Sequence, residues 1–300
     1  MLKVYYPALP DDSDEQRDAG IVPPDRSAAP YPLIVIMPGI NVGPESYTWL
    51  ATELALQGIV TVTYSLIAEE MPGYISLTPG LDLSAITPET YGTRPSGTVV
   101  AAIIDAVEDE NAAGLLEGCV DTQRTILAGH SAGGSVALFN ANPDWFPQVC
   151  GAIAYGAHAG ASTALGFADN TILELSSDVP LLLIAGTNDG VIASSGHRYG
   201  DTDGDTVSRI VQTFEDGVLS DRGDSYLVEI QGANHFSLAY PVDETTGRHF
   251  LDGPEYGDST RIRELLATLF AGFVHDVTGD ARGRLAALEN HELITTMRRR

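Results

Sequence analysis

Lysine is almost absent from this chain, since Lys3 is the only one among 300 residues. Only 16 basic residues face 41 acidic ones, so the net charge is −25 at neutral pH. Such a surface repels phosphate backbones and anionic lipid, and we therefore expect no nucleic-acid partner and no stable membrane association. The acid surplus fits a high-salt habitat and equally fits a GC-rich genome with an ordinary acidic surface.

Cysteine and long apolar runs are also scarce. The two cysteines, Cys119 and Cys150, exclude a cysteine-based metal site and a disulfide framework, and they leave open either one disulfide or two thiols. No apolar run approaches the ~18 residues of a membrane span, and the N-terminus lacks the apolar core of a signal peptide. We therefore expect a cytoplasmic protein, or a secreted one if a leader has been removed.

Short apolar runs alternate with longer amphipathic segments. This pattern is typical of an α/β fold with a mostly parallel central sheet flanked by helices, and we predict a single domain over 1–300. The segment 66–95, rich in Pro-Gly pairs, leaves the carboxyl end of a strand, where it would either cover a pocket or form a surface loop. The predicted strands are 4–6, 33–37, 60–64, 125–128, 152–155, 181–185 and 226–230, and the predicted helices lie near 45–57, 97–109, 132–140, 206–215 and 259–276.

The segment Gly129-His130-Ser131-Ala132-Gly133-Gly134 follows one of these apolar runs. A G-x-S-x-G pattern between a strand and a helix predicts a sharp turn with an exposed serine, because glycines leave room for the two backbones to approach. The same residue pattern also fits an ordinary glycine-rich turn between a strand and a helix. The sequence around Ser131 must therefore decide between the two.

Two further residues follow buried strands in the order that a serine nucleophile requires. Asp189 lies in the loop after strand 181–185, and His235 lies in the loop after strand 226–230. Singly, Asp189 fits a helix cap and His235 fits a turn. Together, Ser131, Asp189 and His235 predict a catalytic triad.

A tetrahedral intermediate needs backbone N–H donors for its oxyanion. Ala132 follows the nucleophile directly, and Ile40 follows Pro38-Gly39 after another predicted strand. We predict that the N–H groups of Ile40 and Ala132 form the oxyanion hole. The alternative for Pro38-Gly39 is an ordinary turn.

With these motifs the chain resembles the α/β-hydrolase superfamily over most of its length. Met37-Pro38-Gly39-Ile40 and Gly129 to Gly134 resemble the P-G-aromatic turn and the G-H-S-x-G-G motif of chlorophyllase-like, platelet-activating-factor-acetylhydrolase-like and cutinase-like polyester hydrolases. Ile40 replaces the usual aromatic residue, there is no H-G-G-G motif as in the hormone-sensitive-lipase group, and Ser131 stands where dienelactone hydrolases have cysteine.

The resemblance implies a serine carboxylic-ester hydrolase that needs no metal or other cofactor. We expect a small-molecule ester with a short to medium acyl chain as the substrate. Three alternatives stay open: a polyester or lipid-ester hydrolase, an acyltransferase or perhydrolase with the same triad, and a ligand-binding homologue without activity.

The remaining polar residues have less specific interpretations. His158 and Phe236 are candidate substrate contacts, whereas we expect His130 to pack away from the site. Asp201 to Asp205 resembles the start of a calcium loop, but Gln212 stands where such a loop has glutamate. The tail, Arg298 to Arg300, is interpreted as the solvated end of a helix.

Overall fold

The computed structural model describes residues 1–10, 13–71, 73–176, 178–200, 204–245, 249–279 and 283–300. The strands in these ranges are β1 (Leu2–Tyr5), β2 (Tyr31–Met37), β3 (Val60–Tyr64), β4 (Leu66–Met71), β5 (Tyr74–Thr78), β6 (Val120–His130), β7 (Val149–Tyr155), β8 (Leu181–Gly186), β9 (Tyr226–Ile230) and β10 (Ile294–Arg299). The α-helices are α1 (Asp14–Ala19), α2 (Thr48–Leu56), α3 (Val100–Ala113), α4 (Ala132–Asn140), α5 (Gly190–Ser195), α6 (Ser208–Gln212) and α7 (Ser259–Thr278).

Eight of the strands form one central sheet in the order β1-β3-β2-β6-β7-β8-β9-β10. The six inner strands are parallel, and the two edge strands β1 and β10 run antiparallel to their neighbours. The predicted α/β class, with a mostly parallel sheet flanked by helices, is confirmed. Parallel strands end at one edge of a sheet, so the loops after β2, β6, β7, β8 and β9 all emerge there.

Both faces of the sheet are covered because its strands are apolar on both sides. Along β2, Leu33 and Val35 belong to one core, whereas Ile34 and Ile36 belong to the other. The first core includes side chains of α3, α4 and α6, and the second includes those of α2 and α7. Alternation along each strand thus fixes two helical layers around the sheet.

Two regions contain strands that the sequence pattern does not predict. Within 66–95, β4 and β5 form a separate antiparallel hairpin. The tail Arg298 to Arg300 is not a helix end, since β10 pairs with β9 and the backbones of Arg300 and Ser225 exchange two hydrogen bonds. The Arg299 guanidinium lies over the Tyr226 ring, so the arginine run is held by an edge strand and not by a helix terminus.

The two cysteine thiols are both free. Cys119 is buried, and Cys150 lies in β7, where its thiol contacts the Thr125 carbonyl oxygen at 3.5 Å. Burial raises the pKa of the Cys150 thiol to about 11, which keeps it protonated at neutral pH.

No helix in the described ranges combines the length and the apolar character needed to cross a bilayer.

Candidate active site

Ser131 lies at the tip of the turn between β6 and α4. Its backbone has φ of 56° and ψ of −125°, a conformation that residues other than glycine rarely adopt. Such a conformation costs about 1 to 3 kcal/mol and persists only where the surroundings impose it. Here the Ser131 N–H donates to the Tyr155 carbonyl at the end of β7, which anchors the strained turn to the sheet.

Glycine is required on both sides of this turn. A Cβ atom on Gly129 would lie 2.2 Å from the backbone of Gly133, and one on Gly133 would lie 2.2 Å from the Met37 carbonyl oxygen. The strand, the turn and the helix are therefore in backbone contact, as the sequence pattern predicts. The Ser131 hydroxyl makes no hydrogen bond to any described residue, and the serine lines a cavity at this edge of the sheet.

Asp189 follows β8 and is completely buried. One carboxylate oxygen, Oδ1, accepts the N–H of Ile192 at 2.8 Å and so caps α5. The other, Oδ2, lies 2.8 Å from Nδ1 of His235. The helix cap and the histidine partner, which are alternatives at the level of the sequence, are both present and use different oxygens of one side chain.

His235 begins the short helical turn after β9 and is also buried. Because a carboxylate only accepts, Nδ1 must carry the proton, which leaves Nε2 free to take one. Burial lowers the pKa of His235, but the charge of Asp189, its hydrogen bond and the charge of Asp252 outweigh burial and raise this pKa above 6.5. The pair is therefore arranged to stabilise a protonated imidazole.

Asp252 is a part of this site that the sequence analysis missed. Its Oδ1 accepts the N–H groups of Gly190 at 3.0 Å and of His235 at 3.1 Å, and its Oδ2 accepts that of Phe236 at 3.2 Å. One carboxylate thus joins the loop after Asp189 to the loop that carries His235. Burial, followed by the nearby charge of Asp189, raises the pKa of Asp252. No sequence motif marks this residue, although Asp-Gly at 252–253 is a recognisable turn signal.

The loop after β2 brings Ile40 to the same cavity as Ala132. Neither backbone N–H donates a hydrogen bond within the described residues, so both are available to a ligand. The loop is held by Tyr47, whose hydroxyl oxygen accepts the Gly39 N–H at 3.0 Å and lies 3.0 Å from Nδ1 of His130. Tyr47 is a second residue that the sequence analysis did not identify.

His130 is buried, but it does not point away from the site as expected. The centres of the His130 and His235 rings are 4.8 Å apart, and His130 also lines the cavity. The ring also packs against those of Tyr47, Tyr155 and Phe236, so His130 has the expected packing role but has it beside the site. Burial and the charge of His235 hold the pKa of His130 well below its ordinary value, so this ring is neutral.

The cavity has a volume of about 490 Å³ and includes both other predicted contacts, His158 and Phe236. His158 accepts the Gly160 N–H at Nδ1, and burial together with Arg209 and His235 lowers its pKa to about 3. His158 is therefore a neutral donor through Nε2. The Phe236 ring packs edge-on against His235, with ring centres 5.3 Å apart.

Metal binding finds no support in the described part of the chain, where no three His, Cys, Asp or Glu side chains form a group that could hold an ion. Asp201 and Asp203, which begin the calcium-like sequence, lie outside the described residues.

Comparison with models of known protein families finds none that matches this chain, and no curated protein matches it either.

Proposed function

We propose that this chain is a serine carboxylic-ester hydrolase with an α/β-hydrolase fold. One observation carries the proposal: His235, whose Nδ1 is hydrogen-bonded to the buried Asp189, lines the same cavity as Ser131 on its strained turn. The three residues follow β6, β8 and β9 in the chain order of that fold. Serine at the turn favours acyl transfer, and the mainly apolar cavity favours an ester with a short to medium acyl chain.

In the proposed first step, Nε2 of His235 takes the hydroxyl proton as Ser131 Oγ attacks the ester carbonyl carbon. The carbonyl oxygen becomes an oxyanion, which accepts the N–H groups of Ile40 and Ala132, each worth about 3 kcal/mol. The intermediate collapses as His235 returns the proton to the leaving alcohol. An acyl group then remains attached to Ser131.

In the second step, His235 takes a proton from water, and the resulting hydroxide attacks the acyl carbonyl carbon. Collapse of the second intermediate breaks the bond to Ser131 Oγ, which recovers its proton from His235, and the carboxylic acid is released. Asp189 stays ionised throughout and stabilises the imidazolium. None of these steps uses a metal or an organic cofactor.

Substitution Ser131→Ala tests the proposal most directly. We expect turnover of p-nitrophenyl acetate to fall by about 10⁴-fold or more, with an unchanged thermal midpoint, because only the attacking oxygen is removed. A fluorophosphonate probe should label the wild type and leave this variant unlabelled. Ser194→Ala is the control, since Ser194 lies on α5, is exposed and does not line the cavity.

The proposal is wrong if the Ser131→Ala variant keeps its esterase activity. A wild-type chain that neither hydrolyses esters nor reacts with the probe would instead favour the ligand-binding alternative.

A further inference from the structure

Part of the lining of the cavity at Ser131 is formed by large apolar side chains, and we call this part the acyl arm. Its walls are formed by Leu81, Leu83, Ile86, Leu165 and Phe167. Leu81, Leu83 and Ile86 come from the segment after the β4–β5 hairpin, and Leu165 and Phe167 come from the segment after β7. Such a lining binds a hydrocarbon chain by removing it from water.

Two side chains border both the cavity that contains the acyl arm and a second space. Phe139 and Leu173 line this cavity and also line a second, open groove of about 580 Å³. On the other side of these two residues, the groove is formed by Tyr91, Trp145 and Leu219 together with acidic and polar residues. We call these two side chains, which the cavity and the groove share, the wall.

This wall is fixed in position by its neighbours. Phe139 lies in the last turn of α4 and packs edge-on against the Tyr91 ring, with ring centres 5.7 Å apart. The Tyr91 hydroxyl donates to the Glu174 carbonyl at 2.6 Å, next to Leu173 in the chain. The Leu173 N–H donates to the Ala159 carbonyl at 2.8 Å, which ties the second wall residue to the segment after β7.

We propose that Phe139 and Leu173 are specificity-determining residues that set the longest acyl chain this enzyme accepts. This inference rests on the proposed esterase function. During turnover the acyl group stays bonded to Ser131 while the alcohol leaves and water enters. The acyl group is therefore the part of the substrate that can bind in the acyl arm. The alcohol must leave through the open mouth and is not limited by the wall.

The test is a series of p-nitrophenyl esters from acetate to palmitate. In the wild type, kcat/KM should rise about fourfold per added methylene until the chain reaches the wall and should then fall. In Phe139→Ala and Leu173→Ala, the rise should continue for several further methylenes, because the tail passes into the groove. Turnover of the acetate ester by each variant is the internal reference to which its own length series is normalised, so the readout is the position of the maximum and not the absolute rate.

Phe167→Ala is the matched control, because Phe167 lines the acyl arm but not the groove. Removing its ring should widen the arm and leave the length limit where it is in the wild type. A second series, with a fixed acetyl group and alcohols of increasing length, should give the same profile in wild type and in Phe139→Ala.

The inference is overturned if both wall variants hydrolyse the acetate ester and keep the wild-type length limit. It is also overturned if Phe139→Ala shifts the alcohol series instead of the acyl series. Should the alanine variants fail to fold, Phe139→Leu retains most of the packing and should shift the limit by a smaller amount. Absence of hydrolysis in the wild type would refute the proposed function itself, which is a different result from an unchanged limit.

Discussion

The end of the cavity with the proposed triad, here called the triad end, and the acyl arm are fixed by different forces. At the triad end, two carboxylates accept backbone N–H groups: Asp189 accepts that of Ile192, and Asp252 accepts those of Gly190, His235 and Phe236. At the acyl arm, Phe139 is held mainly by apolar contacts and by its edge-on packing against Tyr91.

This difference indicates which property each end controls. Hydrogen bonds are directional, so losing one at the triad end should displace a reacting group and lower the rate. Apolar packing is not directional, so truncating Phe139 should lower the free energy of unfolding by roughly 3 to 5 kcal/mol and change the size of the pocket. Substitutions at the triad end should therefore mainly lower the rate, whereas substitutions at the acyl arm should mainly lower the free energy of unfolding and change the pocket.

Asp189→Asn should have the largest effect on rate among these substitutions. Asparagine still caps α5 through its carbonyl oxygen, but its NH₂ group would face Nδ1 of His235 and force the proton onto Nε2. We expect kcat to fall by about 10⁴-fold with little change in the thermal midpoint. Steady-state kinetics and a thermal scan measure the two quantities.

Asp205→Asn is the matched control for this change. Asp205 also accepts two backbone N–H groups in front of a helix, those of Val207 and Ser208, and it has no hydrogen bond to a histidine within the part of the chain that the structure describes. The control should keep wild-type kinetics. An equal loss of rate in both variants would mean that helix capping, and not the histidine contact, matters for turnover.

Asp252→Asn should have an intermediate effect and should also change the pH profile. As the proposed base, His235 must be neutral, and its pKa is raised above 6.5, so wild-type kcat/KM should increase with pH through a midpoint above that value. Removing the Asp252 charge lowers the His235 pKa, so the midpoint should move to lower pH. The neighbouring His130 stays neutral in this range and does not contribute a second transition.

At pH values above both midpoints, Asp252→Asn should still be about tenfold slower than the wild type. The amide cannot accept the Phe236 N–H that Oδ2 accepts, and an unsatisfied group of this kind costs about 1 to 3 kcal/mol. A fall in kcat without a shift of the midpoint would show that Asp252 positions the loops without acting on His235 electrostatically.

The same contrast explains what could be predicted from the sequence. Ser131, Asp189 and His235 each follow a strand that is buried on both faces, and such strands are read as continuous apolar runs. The position of each residue is therefore a local property of the chain. α4 was predicted with its observed bounds because the glycine-flanked serine marks the start of the helix.

The remaining elements depend on contacts between distant residues. Asp252 lies 17 residues after His235, and nothing in its own segment shows that it accepts the His235 N–H. No residue of the edge strand β10 is fully buried. Its arginines interrupt the alternation of apolar and polar residues by which a strand is recognised in a sequence. The acyl arm combines segments on either side of the nucleophile, so its lining emerges only from the tertiary structure.

Tyr47→Phe should have the smallest effect on rate, because its hydroxyl holds Gly39, which precedes Ile40 of the proposed oxyanion hole. The loss of its hydroxyl leaves the Gly39 N–H and Nδ1 of His130 without their partner, at a cost of about 1 to 3 kcal/mol in the free energy of unfolding. Loosening of the loop should lower kcat about three- to tenfold and leave KM unchanged, because the oxyanion exists only in the transition state and the intermediate.

Tyr64→Phe is the control, because it also removes a buried tyrosine hydroxyl, one that donates to the Pro79 carbonyl at 2.7 Å. The Tyr64 side chain does not line the cavity. Denaturant unfolding should show a comparable loss of stability for the two variants, whereas only Tyr47→Phe should lose kcat. If both lose kcat to the same extent, general destabilisation explains the effect, and the hydrogen bond to Gly39 has no separate role in turnover.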